Sequence, residues 1–127
     1  MQKYGLVKTI GDGESAIKLA GNAYTFVIYK NYFGKDLLND IIGFAKKNSG
    51  AVDIDPNNIN LDNIDAFDFD SEFILQLIAS LMATAQYPVK PDIGELIMSI
   101  PPHYIMDMEV IGQVLEFLSL FVNQKKA

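Results

Sequence analysis

The chain has 127 residues, half of them apolar, with sixteen acids against ten lysines, no arginine and no cysteine, for a net charge of −6. That length suits one domain with a real core, and the apolar share excludes global disorder. An acidic chain without arginine is a poor reader of nucleic acid, and the absence of cysteine removes disulfides, thiolate metal sites and thiol nucleophiles.

Polar residues interrupt every apolar run well short of a membrane span, and the first fourteen residues lack the apolar centre of a signal peptide. The expected setting is cytosolic, with no membrane and no nucleic acid among the partners. Tyr4–Ile10 and Ser15–Leu19 flank Gly11-Asp12-Gly13, a turn signal that predicts a short β-hairpin over residues 1–20. Asn22 stands where a helix cap belongs, before the apolar run Ala23–Phe33. Ala23, Phe26, Val27 and Lys30 form one stripe of that helix; Tyr24, Ile28 and Tyr32 form its neighbour. Phe26 and Phe33 are expected to face inward, with Tyr29 or Tyr32 outward. Gly34 should end the helix, and a second should run from Lys35 to Lys47 with Leu37, Leu38, Ile41, Ile42 and Ala45 inward.

Residues 48–70 shift abruptly to Asp and Asn with no basic residue, and read as an acidic linker expected to be mobile. A third helix, Ser71–Gln86, is apolar nearly all round and belongs in the middle of a bundle. Pro91-Asp92 should open a short helix that Pro101-Pro102 closes. A last helix over His103–Asn123 again carries more than one apolar stripe. Residues 71–123 thus form the C-terminal helices and 124–127 a tail. The fold class is mainly α: a small bundle of four to five helices with an N-terminal β-hairpin.

Chemistry-bearing patterns are thin. Asp53-x-Asp55-x-Asn57 opens like a calcium loop, but the sixth position is Asn58 rather than Gly and the twelfth is Ile64 rather than Glu. A solvated loop is the better reading, and calcium is not expected to bind. His103 is the only histidine, so it lacks a second histidine for a metal site or triad and reads as a helix-start or surface residue. Gly11-x-Gly13 lacks the helix that a phosphate loop requires. No catalytic pair, cofactor site or metal site can be named, and an enzyme is not expected.

One run does carry a resemblance. Ala20, Asn22, Ala23, Tyr29, Lys30, Phe33, Gly34, Lys35 and Asp36 follow a small-Asn-Ala element and then Tyr-Lys-x-x-Phe-Gly-Lys-Asp-Leu. With the acidic linker, the Leu77–Ala85 helix, the proline-flanked helix and the lysine-bearing end, this layout resembles the tail assembly chaperones of long-tailed phages and prophages of Gram-positive bacteria. The chain departs from many relatives in having no tryptophan and a short tail. The resemblance implies a non-enzymatic viral protein of the host bacterial cytoplasm that is absent from the mature virion. It would bind and solubilise the tape measure protein before the tail tube polymerises.

The resemblance also implies a ribosomal slippage product. By themselves Lys125-Lys126 read as a solubilising cationic end after a helix; under the resemblance they would mark the slippery site, and the longer form would reach the tail tube protein. The residues by themselves leave two rivals open: a head–tail connector of the virion and an acidic inhibitor or antitoxin-like module. The hairpin edge and the surplus apolar positions lead us to expect a homo-oligomer. Partner contact is assigned to Tyr29, Tyr32, Phe33, Phe73, Leu77, Leu81, Ile111, Leu115, Phe117 and Phe121.

Overall fold

A computed structural model of the chain describes residues 6–11, 13, 16–49 and 71–122. Two antiparallel strands, β1 (Leu6–Ile10) and β2 (Ile17–Gly21), pair with Ile10 opposite Ile17 and Leu6 opposite Gly21. Alternation sends Ile17 and Leu19 inward and leaves Val7, Thr9 and Lys18 exposed. β2 lies against the third helix, which gives a ribbon too small to stand alone its missing apolar partner.

The helices are α1 (Ala23–Phe33), α2 (Leu37–Ser49), α3 (Ser71–Ala85), α4 (Ile93–Ser99) and α5 (Met108–Val122), with a 3-10 turn at Pro102–Ile105. The chain is a mainly α bundle carrying a short N-terminal β-hairpin, as its patterning predicts. The acidic segment is expected from residue 48, but α2 runs on through Ser49, two residues past Lys47; residues 50–70 with the Asp53–Asn57 pattern, the Ala45 side chain and Lys125-Lys126 lie outside the described residues.

Local chemistry places each boundary. Asn22 caps α1: its Oδ1 accepts from Tyr24 N–H at 2.8 Å, and Thr25 Oγ1 accepts from Asn22 N–H at 3.2 Å. Gly34 closes the helix in the left-handed region (φ 70°), its N–H donating to the Lys30 carbonyl at 2.8 Å. Asp36 then accepts from Asn39 N–H at 3.0 Å, so α2 begins at Leu37 rather than at Lys35. Asp92 caps α4 through Glu95 N–H at 2.9 Å.

Three expectations are corrected. The last helix does not run unbroken from His103: the prolines tighten Pro102–Ile105 into a 3-10 turn, and Asp107, accepting from Glu109 N–H at 2.9 Å, starts α5 afresh. The inward face of α1 is Thr25, Ile28 and Tyr29, and Val27 is exposed. Tyr29 is the ring buried outright at 0 % exposure, whereas Phe26 and Phe33 are only half-buried. The Tyr29 hydroxyl finds its acceptor in Asp40, and that hydrogen bond offsets the cost of taking it out of water.

The core sits on α3. Ten of its residues, Phe73, Ile74, Leu77 to Met82, Ala83 and Thr84, are buried. They meet Leu37, Ile41 and Phe44 of α2, Leu19 of β2, Leu96 of α4, and Ile111, Val114 and Leu118 of α5 in one cluster. Its small residues, Ala79, Ser80 and Ala83, are what let neighbouring backbone come close.

Candidate protein-binding surfaces

The motif that carries the family resemblance builds a corner. Phe33-Gly34-Lys35-Asp36 turns the chain from α1 into α2, with Gly34 supplying the left-handed residue and Asp36 the next cap. Tyr29 reaches across from α1 and donates its proton to Asp40 Oδ2 of α2 at 2.6 Å; Gln76 Oε1 of α3 lies 3.4 Å from the Tyr29 hydroxyl oxygen. Lys35 Nζ donates to Gln76 Oε1 at 3.3 Å and pairs with Glu72 at 3.4 Å. Three helices are thereby tied at one polar point on the flank of the core. The geometry joins packing elements; both charged ends of it, Lys35 and Glu72, are exposed.

A second buried polar line joins α1 to α3. Thr25 Oγ1 and Thr84 Oγ1 are 2.9 Å apart, and Thr84 donates to the Ser80 carbonyl at 2.8 Å. Since Thr84 spends its proton there, Thr25 donates to Thr84 while accepting from Asn22 N–H. Nothing in the apolar patterning of α1 signals this line, because threonine there reads as an interruption.

Of the positions assigned to partner contact, Tyr29, Phe73, Leu77, Leu81, Ile111, Leu115, Phe117 and Phe121 are buried within the chain itself. Tyr32 and Phe33 are half-buried. The rings are engaged internally: Phe44 with Phe73 at 5.1 Å, Phe117 with Phe121 at 6.2 Å, and Tyr29 with Phe33 at 5.3 Å. Helices apolar over most of their circumference are satisfied here by being central, and no partner is needed to cover those faces.

Among the described residues, large apolar side chains that face solvent are Val7, Val27, Tyr87, Val89, Met98, Met106 and Leu120. Four of them fall between α3 and α5, in the segment that prolines at 88, 91, 101 and 102 keep from forming one long helix. Met98 is 80 % exposed and Met106 72 %, because α4 turns Ile93, Leu96, Ile97 and Ile100 toward the core and leaves Met98 opposite them. Acids accompany them: Asp92, Glu95, Asp107 and Glu109 are exposed in the same stretch. His103 is exposed too, its ring edge-on to Tyr104 at 4.7 Å. The expectation is a helix-start or surface residue, and His103 is an exposed residue of the 3-10 turn.

Among the described residues, the surface is indented by grooves. One, of about 230 Å³, lies between α1 and residues 86–91, lined by Tyr24, Ile28, Asn31, Tyr32, Val89 and Lys90 among others. Tyr24 stacks edge-on against Tyr87 at 5.4 Å, and the Tyr32 hydroxyl donates to the Pro91 carbonyl at 2.8 Å, so the two walls are pinned together. The Tyr87–Pro88 peptide bond within it is cis. Another groove, of about 290 Å³, lies between β2 and the ends of α3 and α4, beside Ile17, Lys18, Met82 and Ser99. Val89, Lys90 and Asn31 were missed from sequence because a two-walled groove requires a chain reversal that no periodicity encodes. Compared with known proteins, the chain matches no family model, no curated protein and no solved structure.

Proposed function

We propose that this protein is a tail assembly chaperone that holds the tape measure protein in the host cytoplasm until the tail tube assembles around it. The reading rests on the Tyr29-Lys30-x-x-Phe33-Gly34-Lys35-Asp36-Leu37 resemblance. One structural observation supports it: the exposed methionines at 98 and 106, accompanied by acids.

Methionine is unbranched and polarizable and adapts its shape to varied apolar surface, which suits a holder of long repetitive helices. An amphipathic client helix presents anchors at helical spacing to such positions. The acids would keep the exposed apolar atoms soluble and favour a client with basic flanks. No step of this role is catalytic.

The test is co-expression with the product of a neighbouring reading frame that encodes a very long, coiled-coil-rich protein. Co-purification and solubilisation of that product, with the chaperone missing from purified virions, is the expected outcome. Retention in virions would make the chain a connector or tail component instead. Failure of the long protein to gain solubility would overturn the chaperone reading.

A further inference from the structure

β1 is the outer strand of its two-stranded ribbon, and burial falls away from β2 to β1 on both faces. On the core-facing side Ile17 and Leu19 of β2 are buried, whereas Leu6 and Lys8 of β1 are half-buried. On the other side Ala20 is 6 % exposed and Val7, its cross-strand partner, 43 %. α3 covers β2, and α5 meets β1 without closing it over. Among the described residues, β1 makes no backbone hydrogen bond except to β2. Its outer edge therefore presents N–H and C=O groups that a further strand would satisfy.

Lys8 decides which strand that is. It stands mid-edge in the core-facing row Leu6, Lys8, Ile10, where a purely structural strand would carry an apolar residue. A strand pairing with β1 would set a side chain about 4.5–5.5 Å from Lys8 and take water from it. An apolar side chain there leaves the ammonium without a counter-charge, a lysine repels it, and a carboxylate pairs with it. A second copy would bring its own Lys8 to the edge, so the same residue disfavours β1 pairing with itself. The surroundings have the same sign. Among the described residues from Leu6 to Phe33 the charged side chains are Lys8, Lys18 and Lys30, with no acid, in a chain of net charge −6.

We propose that β1 accepts a third strand from an acidic, extended segment of another protein. That segment has an apolar-x-acid-x-apolar pattern, with the acid opposite Lys8 and apolar residues opposite Leu6 and Ile10. Main-chain hydrogen bonds supply the attraction and Lys8 the selection. The site is separate from Met98 and Met106 and does not depend on the chaperone reading.

Nuclear magnetic resonance titration of the whole chain tests it, with a short peptide that alternates threonine and valine about a central glutamate. The peptide has the same order of side chains in both directions, so it fits a parallel or an antiparallel third strand. Shifts should centre on the amides of Leu6 to Thr9 and weaken with salt. Exchanging the central glutamate for lysine should weaken binding by about tenfold or more. A proline beside the glutamate should abolish it by removing a main-chain donor. Lys8→Glu changes a half-buried side chain, so it should keep the wild-type melting temperature and reverse the preference between the two peptides. No binding of the glutamate peptide, equal affinity for both peptides on the wild type, or shifts centred on another surface would overturn the proposal. So would binding to phosphatidylserine vesicles in place of the peptide. Protection of the outer β1 amides that grows with protein concentration alone would make the occupant a second copy and overturn it too.

Discussion

Tyr29 concentrates the residue-scale energetics. Its ring is in the core and its hydroxyl serves the half-buried Asp40 carboxylate at 2.6 Å. Tyr29→Phe keeps the packing and removes a hydrogen bond to a charged group, which should cost about 1.5–3 kcal/mol. Urea denaturation measures it, and an unchanged midpoint would mean that Asp40 recovers its loss from water. Phe117→Ala tests the internal role of a ring assigned from sequence to partner contact. Its burial predicts a loss of about 3–5 kcal/mol of folding stability. A folded variant of wild-type stability would show that Phe117 does not pack as described. Gly21 lies close against α5: a Cβ there would fall 2.6–3.0 Å from the Phe121 ring. Gly21→Ala should therefore destabilise by about 1–3 kcal/mol through forced repacking of α5, readable as a lowered melting temperature.

At the scale of elements, the α1–α2 corner is where the most recognisable stretch of sequence does its structural work. Gly34 has open space around its Cα but a positive φ. Gly34→Ala should thus cost about 1–2 kcal/mol through backbone strain alone. A clash would cost more, and a neutral result would show that the corner can relax out of the left-handed region. The Lys35–Glu72 pair beside it is exposed at both ends. Lys35→Met should change stability by less than about 1 kcal/mol, even though Lys35 belongs to the motif. Chemical denaturation in low and high salt separates these two members of one motif: the glycine effect is salt-independent and the lysine effect shrinks with salt.

For the whole molecule, the question is which surface is left after the core is closed. α3 spends its surplus apolar positions internally and α5 does so except at Leu120, so the proposed chaperone role would draw on the proline-flanked segment. Met98→Ser should weaken binding to tape measure fragments by about tenfold while leaving the melting temperature unchanged. Calorimetry on the folded variant reads both quantities, and equal affinity would move the client site elsewhere.

Patterning along the chain was enough to determine the hairpin, the order of the helices, the caps at Asn22 and Gly34 and the helix opening at Pro91-Asp92, though not the 3-10 turn at Pro102–Ile105. Each of these depends on chemistry within four residues of itself, which local sequence carries in full. It also determined that α3 is central, since a helix apolar on all sides has only one stable place. What only the tertiary structure decided is which side chains are left over. The inversion that buries Tyr29 and leaves Phe26 and Phe33 partly exposed depends on Asp40, eleven residues away. The Thr25–Thr84 line and the groove under Tyr24 and Val89 join residues about sixty positions apart. Such contacts follow from how helices pack, and hydrophobic periodicity, which reports only that a face is buried, does not say against what.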